Sequence, residues 1–242
     1  MAGFHKISAR SILFWGSIAF AILATWTLLI WMFSTSHRYY MVSGGMKPNL
    51  LVGDMVNAAS FDTVVRGDVL VFTHPAQNTD FIFRVMGLPG DQIQMVAGEV
   101  VLNGQALRYA PADDFVAVFE RQGPNGVIPA CRTAVGLGAD CVKSALIETL
   151  PSGRSYAILN IMDDGRLDNT KLFTVPDGHY FFLGDNRDNS ADSRLSRHVG
   201  GMGFVPHENL QYRLRRVVLS FMGQSKWEFW TWRSDRYFKD VQ

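Results

Sequence analysis

Apolar and polar positions divide the chain into two unequal parts. Residues Ile12 to Phe33 carry no charged side chain, and a helix of that length reaches about 33 Å, the thickness of a bilayer's hydrocarbon core. Leu, Ile and Phe dominate the run, each favouring insertion by about 0.3–0.6 kcal/mol at the helix centre. The pattern predicts one transmembrane helix over 12–33. A buried core helix and a cleaved secretory signal are the competing readings; the run exceeds the usual signal core, and no Ala-x-Ala-like site follows it. Lys6 and Arg10 precede the span and only Arg38, beside His37, follows closely. The positive-inside rule then places residues 1–11 in the cytoplasm and 34–242 in the periplasm or other extracytoplasmic space.

Past the span the pattern shortens. Val69-Leu-Val-Phe72 follows Arg66-Gly67-Asp68 and stops at His74-Pro75, and Phe81-Ile-Phe-Arg-Val-Met86 stops at Gly87-Leu-Pro-Gly-Asp91. Gly98-Glu-Val-Val-Leu102 runs into Asn103-Gly104, a two-residue hairpin signal. Leu214 to Phe221 reads as a closing strand. Short Val-, Ile- and Phe-rich runs between Gly-Asp and Asn-Gly turns predict a mostly β, antiparallel domain. Residues 110 to about 176 hold more Pro, Gly and Ala and read as a smaller, looser insertion or cap. The tail Lys226-Trp-Glu-Phe-Trp-Thr-Trp-Arg233 alternates aromatic and polar residues, as a strand with its aromatics on one face would. Those aromatics serve either core packing or contact with a membrane surface.

Composition changes this picture little. Of 242 residues 48% are apolar and 19% charged, with a net charge of +1, so a sizeable core can form and no field favours nucleic acid. Cys131 and Cys141 lie in a Gly-, Pro- and Ala-rich stretch without Cys-x-x-Cys spacing or clustered His, a poor metal site. They read as two unpaired thiols or, outside the cytoplasm, as a local disulfide. No cofactor is implied. The Asp/Asn/Ser-rich run Gly184–Arg194 lacks EF-hand spacing and reads as a loop held by side-chain-to-backbone hydrogen bonds.

Four stretches, in order, resemble the type I signal peptidases, membrane-bound Ser-Lys endopeptidases that remove leader peptides. Ser43-Gly-Gly-Met-Lys-Pro-Asn-Leu-Leu-Val-Gly-Asp54 is similar to the family's Ser-Gly-Ser-Met-x-Pro-Thr-Leu-x-x-Gly-Asp. Arg66-Gly67-Asp68 with its strand is a second match, and Phe81–Asp91 resembles Tyr-x-Lys-Arg-x-x-Gly-x-Pro-Gly-Asp. Gly184–Arg194 resembles Gly-Asp-Asn-Arg-x-Asn-Ser-x-Asp-Ser-Arg. The resemblance implies a signal-peptidase-like antiparallel β fold with a small cap, and a Cys131–Cys141 disulfide, which family members often carry in that region.

The resemblance also marks what is replaced. The nucleophilic serine's position holds Gly45 and the lysine base's position holds Phe83. A Ser-Lys mechanism needs a hydroxyl to attack and a neutral amine to take its proton, and neither position supplies one. By the same resemblance, Ser43 and the Gly45 N–H would form the oxyanion hole and Ser190 would orient the lysine. Asp80, Phe81, Ile82 and Phe83 would form the strand edge that aligns a leader peptide. Arg84, Asp185, Arg187, Asp192 and Arg194 would brace loops by ion pairs. No substitute is evident: Lys47 is too near along the chain to turn back, Lys143 and Lys171 lie in weakly matched regions, and His74 and His198 read as surface residues. The expectation is a non-cleaving binder of leader peptides, with the membrane and an exported peptide or an active paralogue as partners. An active signal peptidase and a structural subunit of an envelope or secretion assembly are the alternatives.

Overall fold

The computed structural model describes residues 9–34, 37–162 and 164–241. Residues 1–37 and 38–242 form separate compact units. The first contains one helix, α1 (Ala9–Ser34). Side chains of α1 are described for residues 14–27, and Phe14, Trp15, Phe20, Leu23 and Trp26 among them are exposed. Those residues make about 21 Å of helix, and among the described residues no helix is long and apolar enough to cross a membrane.

The strands are β1 (His37–Tyr40), β2 (Asp54–Ala59), β3 (Val69–Thr73), β4 (Asp80–Gly87), β5 (Gln92–Val96), β6 (Glu99–Leu102) and β7 (Gln105–Ala106). They continue with β8 (Arg108–Val118), β9 (Asp140–Thr149), β10 (Ser155–Asn160), β11 (Phe173–Thr174), β12 (His179–Leu183), β13 (Val205–Pro206) and β14 (Leu210–Ser220). Three sheets result, of order β1-β2-β14-β3-β4-β12-β13, β10-β9-β8 and β11-β5-β6-β7. The Asn103-Gly104 turn has φ of 51° and 80° and joins β6 to β7, as its sequence predicts. The stretch 110–176, read from composition as loose, instead carries most of β8 and all of β9, which pair antiparallel.

Side-chain alternation along β12 explains how the core divides. Phe182 packs with Phe72, Phe83 and Val85 in one cluster, while Phe181 and Leu183 pack with Met86, Ile93 and Tyr156 in another. A strand buried on both faces reads as a continuous apolar run, as His179-Tyr-Phe-Phe-Leu183 does. The same period of two sends Phe83 and Arg84 of β4 to opposite faces.

The tail corrects an expectation. Lys226–Arg233 forms no strand; its central residues Phe229–Thr231 make a 3-10 turn. Trp227, Phe229 and Trp230 are 77%, 69% and 73% exposed, so core packing does not account for them. The chain is pinned there by polar groups instead. Arg233 donates to the Val52 carbonyl at 2.7 Å, and the Trp232 indole donates to the Lys226 carbonyl at 2.8 Å.

Candidate functional site

The loop 41–54 is closed at its base by backbone bonds between Met41 and Asp54 and between Gly53 and Met41, each 2.8 Å. Gly53 has φ of 88°, and a Cβ there would lie 1.9 Å from the Phe221 carbonyl oxygen, so only glycine fits. The buried Asp54 carboxylate accepts from Leu51 N–H, the Ser220 hydroxyl and Arg236. Met46, Leu50 and Val52 are buried, as are Gly45 and Lys47, whereas Val42 and Ser43 are exposed.

The Gly184–Arg194 loop grips this one from beneath. Asn186 donates its backbone N–H to the Gly45 carbonyl and its side-chain amide to the Gly44 carbonyl, both at 2.9 Å. Asn49 donates to Asp185 at 2.7 Å. A Cβ on Gly184 would lie 2.6 Å from Ser190 Oγ and 2.7 Å from the Gly45 carbonyl oxygen, so the two motifs meet through a glycine.

The grip rests on three buried arginines. Arg84 donates to both Asp185 oxygens, at 2.8 and 2.7 Å, and to the Gly67 carbonyl, with its guanidinium 3.7 Å above the Tyr156 ring. Arg187 donates to both oxygens of Glu148, at 2.7 and 2.8 Å. Arg194 donates to both oxygens of Asp192, each at 2.8 Å. Burial alone would raise the Glu148 carboxyl, but Arg187 and the Tyr156 and Tyr109 hydroxyls hold it below the usual carboxylate range. Glu148, Tyr109 and Tyr156 were not singled out from the sequence. Their only signal is a lone acid in the apolar strand Ala145-Leu-Ile-Glu148.

Above this base lies a cleft of about 460 Å³, walled by residues 40–45, 79–83, 127–128 and 189–191. β4 bonds β3 along Asp80–Phe83, whereas its pairing with β12 begins only at Arg84. The Asp80–Phe83 edge therefore has no strand partner on its second side among the described residues. Positions 45 and 83 face each other: a Cβ on Gly45 would lie 3.2 Å from Phe83 Cε1. Gly45 is not among the residues with positive φ, so its backbone accepts an L side chain. Phe83 is 6% exposed and stacks with Phe81 at 6.2 Å. Ser43 is exposed beside them, and Ser190 donates to Asp192 at 2.6 Å while accepting from Arg194 at 3.2 Å.

Among the described residues no lysine, arginine or histidine lines the cleft. Lys47 does turn back, contrary to expectation, with its Cε 3.6 Å from where a Gly44 Cβ would stand. It turns into the protein, where its ammonium donates to Gln122 at 2.8 Å. Burial, with Lys143 and Arg233 nearby, lowers its pKa to about 8. Lys143 is likewise buried, lowered to about 8 by burial, and its Nζ has no partner among the described residues. His74 is buried too, not at the surface, and accepts the Ala76 N–H; His198 is exposed. Lys171 lies over the Phe173 ring, outside the cleft. Cys131 and Cys141 are bonded, with Cα atoms 5.3 Å apart. Among the described residues no group of three or more His, Cys, Asp or Glu is placed to hold a metal ion.

Comparison with known proteins agrees with the motifs. The family described as signal peptidase, peptidase S26, matches residues 12–219. A signal peptidase I of Rickettsia typhi is 38% identical over 154 residues, 60% of this chain and 48% of that one, so the chain spans about half the length of that relative. A signal peptidase I of Rickettsia felis is 30% identical over 240 residues, covering 85% of this chain and 79% of the relative. A solved signal peptidase I from Enterococcus faecalis aligns at 20% identity over 64% of this chain and 99% of its own, with a TM-score of 0.33. On the family match and the Rickettsia felis coverage, with three of the four motifs meeting around one cleft, the chain belongs to the type I signal peptidase family, peptidase S26.

Proposed function

We propose that this chain is a membrane-anchored signal peptidase homologue that binds leader peptides in the cleft and does not cut them. One observation carries the reading. A Cβ on Gly45 would lie 3.2 Å from the Phe83 ring, so the two positions adjoin, and they hold glycine and phenylalanine in a cleft whose lining, among the described residues, has no amine or imidazole. Two features of the cleft support peptide binding. The free edge of Asp80–Phe83 offers backbone groups to an added strand. Ser43 and Gly45 line the same cleft, where an oxyanion hole requires no side chain at 45. The anchor rests on the uncharged run 12–33 and on the exposed apolar side chains of α1, and the disulfide suits an oxidising, extracytoplasmic face.

The test is a set of four proteins with a fluorogenic Ala-x-Ala leader peptide. The unaltered chain should bind the peptide and cleave it no faster than buffer. Gly45→Ser should stay inactive, since a serine without a base is a poor nucleophile and its Cβ presses on the Phe83 ring. Phe83→Lys should stay inactive for want of a hydroxyl. The double substitution removes the ring that crowds position 45 and supplies both groups, with Ser190 to orient the amine, so cleavage should appear. Loss of such a residue costs about a million-fold in a serine protease (subtilisin), so even a small recovery is measurable. The relatives' names favour a second reading, an active signal peptidase. Cleavage by the unaltered chain would establish it and remove the first.

A further inference from the structure

We propose that a second cavity, lined in part by Arg194, binds a small organic anion that pairs a phosphate-like head with a flat apolar group. The cavity holds about 370 Å³, within the size range of small-ligand sites. Among the described residues its charged walls are all of one sign: Lys171, Arg194 and Arg197 line it together with His179 and His198, and no carboxylate does. Arg194 is paired with Asp192, but Lys171 and Arg197 meet no acid among the described residues. The comparable surface hollow beside β14 holds Arg154 and Arg213 against Asp68 and Arg216 against Asp240, which satisfies its cations internally.

Arg194 points the same way. Its side chain is fully buried, its Nε and Nη2 donate to Asp192, Ser190 and the Arg187 carbonyl, and its Nη1 has no partner among the described residues. A buried guanidinium nitrogen left without an acceptor is costly, and an anion oxygen is the acceptor it lacks. The apolar half of the ligand follows from two aromatic rings in the same lining. Phe173 and Phe204 lie edge to face at 6.4 Å, and the Lys171 ammonium stands 5.5 Å from the Phe173 ring. Phe204 lies in the segment 203–206, which does not line the cleft. Gly203, at φ 58°, turns the chain there, and the Phe204 carbonyl accepts Arg197 at 2.7 Å, fixing that cation on the rim.

Phenyl phosphate is the probe, titrated calorimetrically into the full-length protein in neutral detergent, with inorganic phosphate and benzyl alcohol alongside. The expected result is saturable binding of phenyl phosphate, at least tenfold tighter than either fragment. Lys171→Glu, at an exposed position, should weaken it about tenfold or more, Lys171→Arg should retain it, and Lys226→Glu, outside the cavity, should leave it unchanged. Circular dichroism checks that each variant is folded. Absence of saturable binding, equal affinity for inorganic phosphate, or equal loss from Lys171→Glu and Lys226→Glu would each overturn the assignment.

Discussion

Two sets of buried charges lie within a few residues of the cleft, and they are treated in opposite ways. Under the Gly184–Arg194 loop, Arg84, Arg187 and Arg194 each meet a carboxylate through two hydrogen bonds. Beside the 43–48 loop, Lys47 has only a neutral amide and Lys143 has no partner among the described residues. A planar guanidinium and a carboxylate satisfy each other's donors and acceptors inside a protein, whereas an ammonium without an acid loses its hydration and gains little. The protein answers by lowering both lysine pKa values to about 8. The paired set braces the frame, and the frame persists although the reacting positions are glycine and phenylalanine. Reacting groups add little to stability, and Phe83 adds apolar packing that a lysine would not.

The sharpest way to break this contrast is to orphan one partner. Arg84→Met leaves Asp185 buried with only the Asn49 amide and should cost about 3–5 kcal/mol in chemical denaturation. Arg84→Met with Asp185→Leu should recover much of that loss. If single and double variants are equally unstable, the cost lies in packing over Tyr156 and not in the orphaned charge.

Next in size is the disulfide that pins the strand bearing the unpaired lysine. Cys141 and Lys143 both face inward on β9. Replacing both cysteines by serine frees a loop of ten residues' separation and should cost about 2–3 kcal/mol. The same melt run with and without reductant should show the difference only in the unaltered protein.

Lys143→Met carries the opposite sign. A folded pKa near 8 against about 10.5 unfolded means that the unfolded state binds more protons between those values. Stability from this group is therefore full above about pH 10.5 and is lost as pH falls through about 8. The substitution should stabilise the protein at pH 7 by about 2 kcal/mol and flatten its rise in stability from pH 8 to 10.5. A destabilised variant at pH 7 would mean that the ammonium has found an acceptor. Smallest is Ser190→Ala, expected to cost under about 1 kcal/mol, because Asp192 keeps Arg194 and the Gly184 N–H. A larger loss would place Ser190 within the brace itself.

The sequence alone determined the uncharged run 12–33, the β character of the rest and the motif order, because these depend on local periodicity and on residue identity at fixed spacing. It also determined the replacement at 45 and 83, since a missing hydroxyl or amine is a property of the side chain and not of its position. Only the tertiary structure decided which charges are paired. Arg187 and Glu148 stand 39 residues apart and Arg84 and Asp185 stand 101 apart, and nothing local chooses such partners. Composition read 110–176 as loose because β8 carries polar residues on exposed positions and gains its order from β9. The tail read as a strand because its alternation fits one, but strand pairing needs a free edge at the right place, and Arg233 is held by the loop base instead. Lys47 read as too near along the chain to turn back and Lys143 as lying in a weakly matched region, because lysine is rarely buried without an acid and spacing alone carries no sign of it; their burial follows from long-range packing that brings Gln122 and β9 against the 43–48 loop.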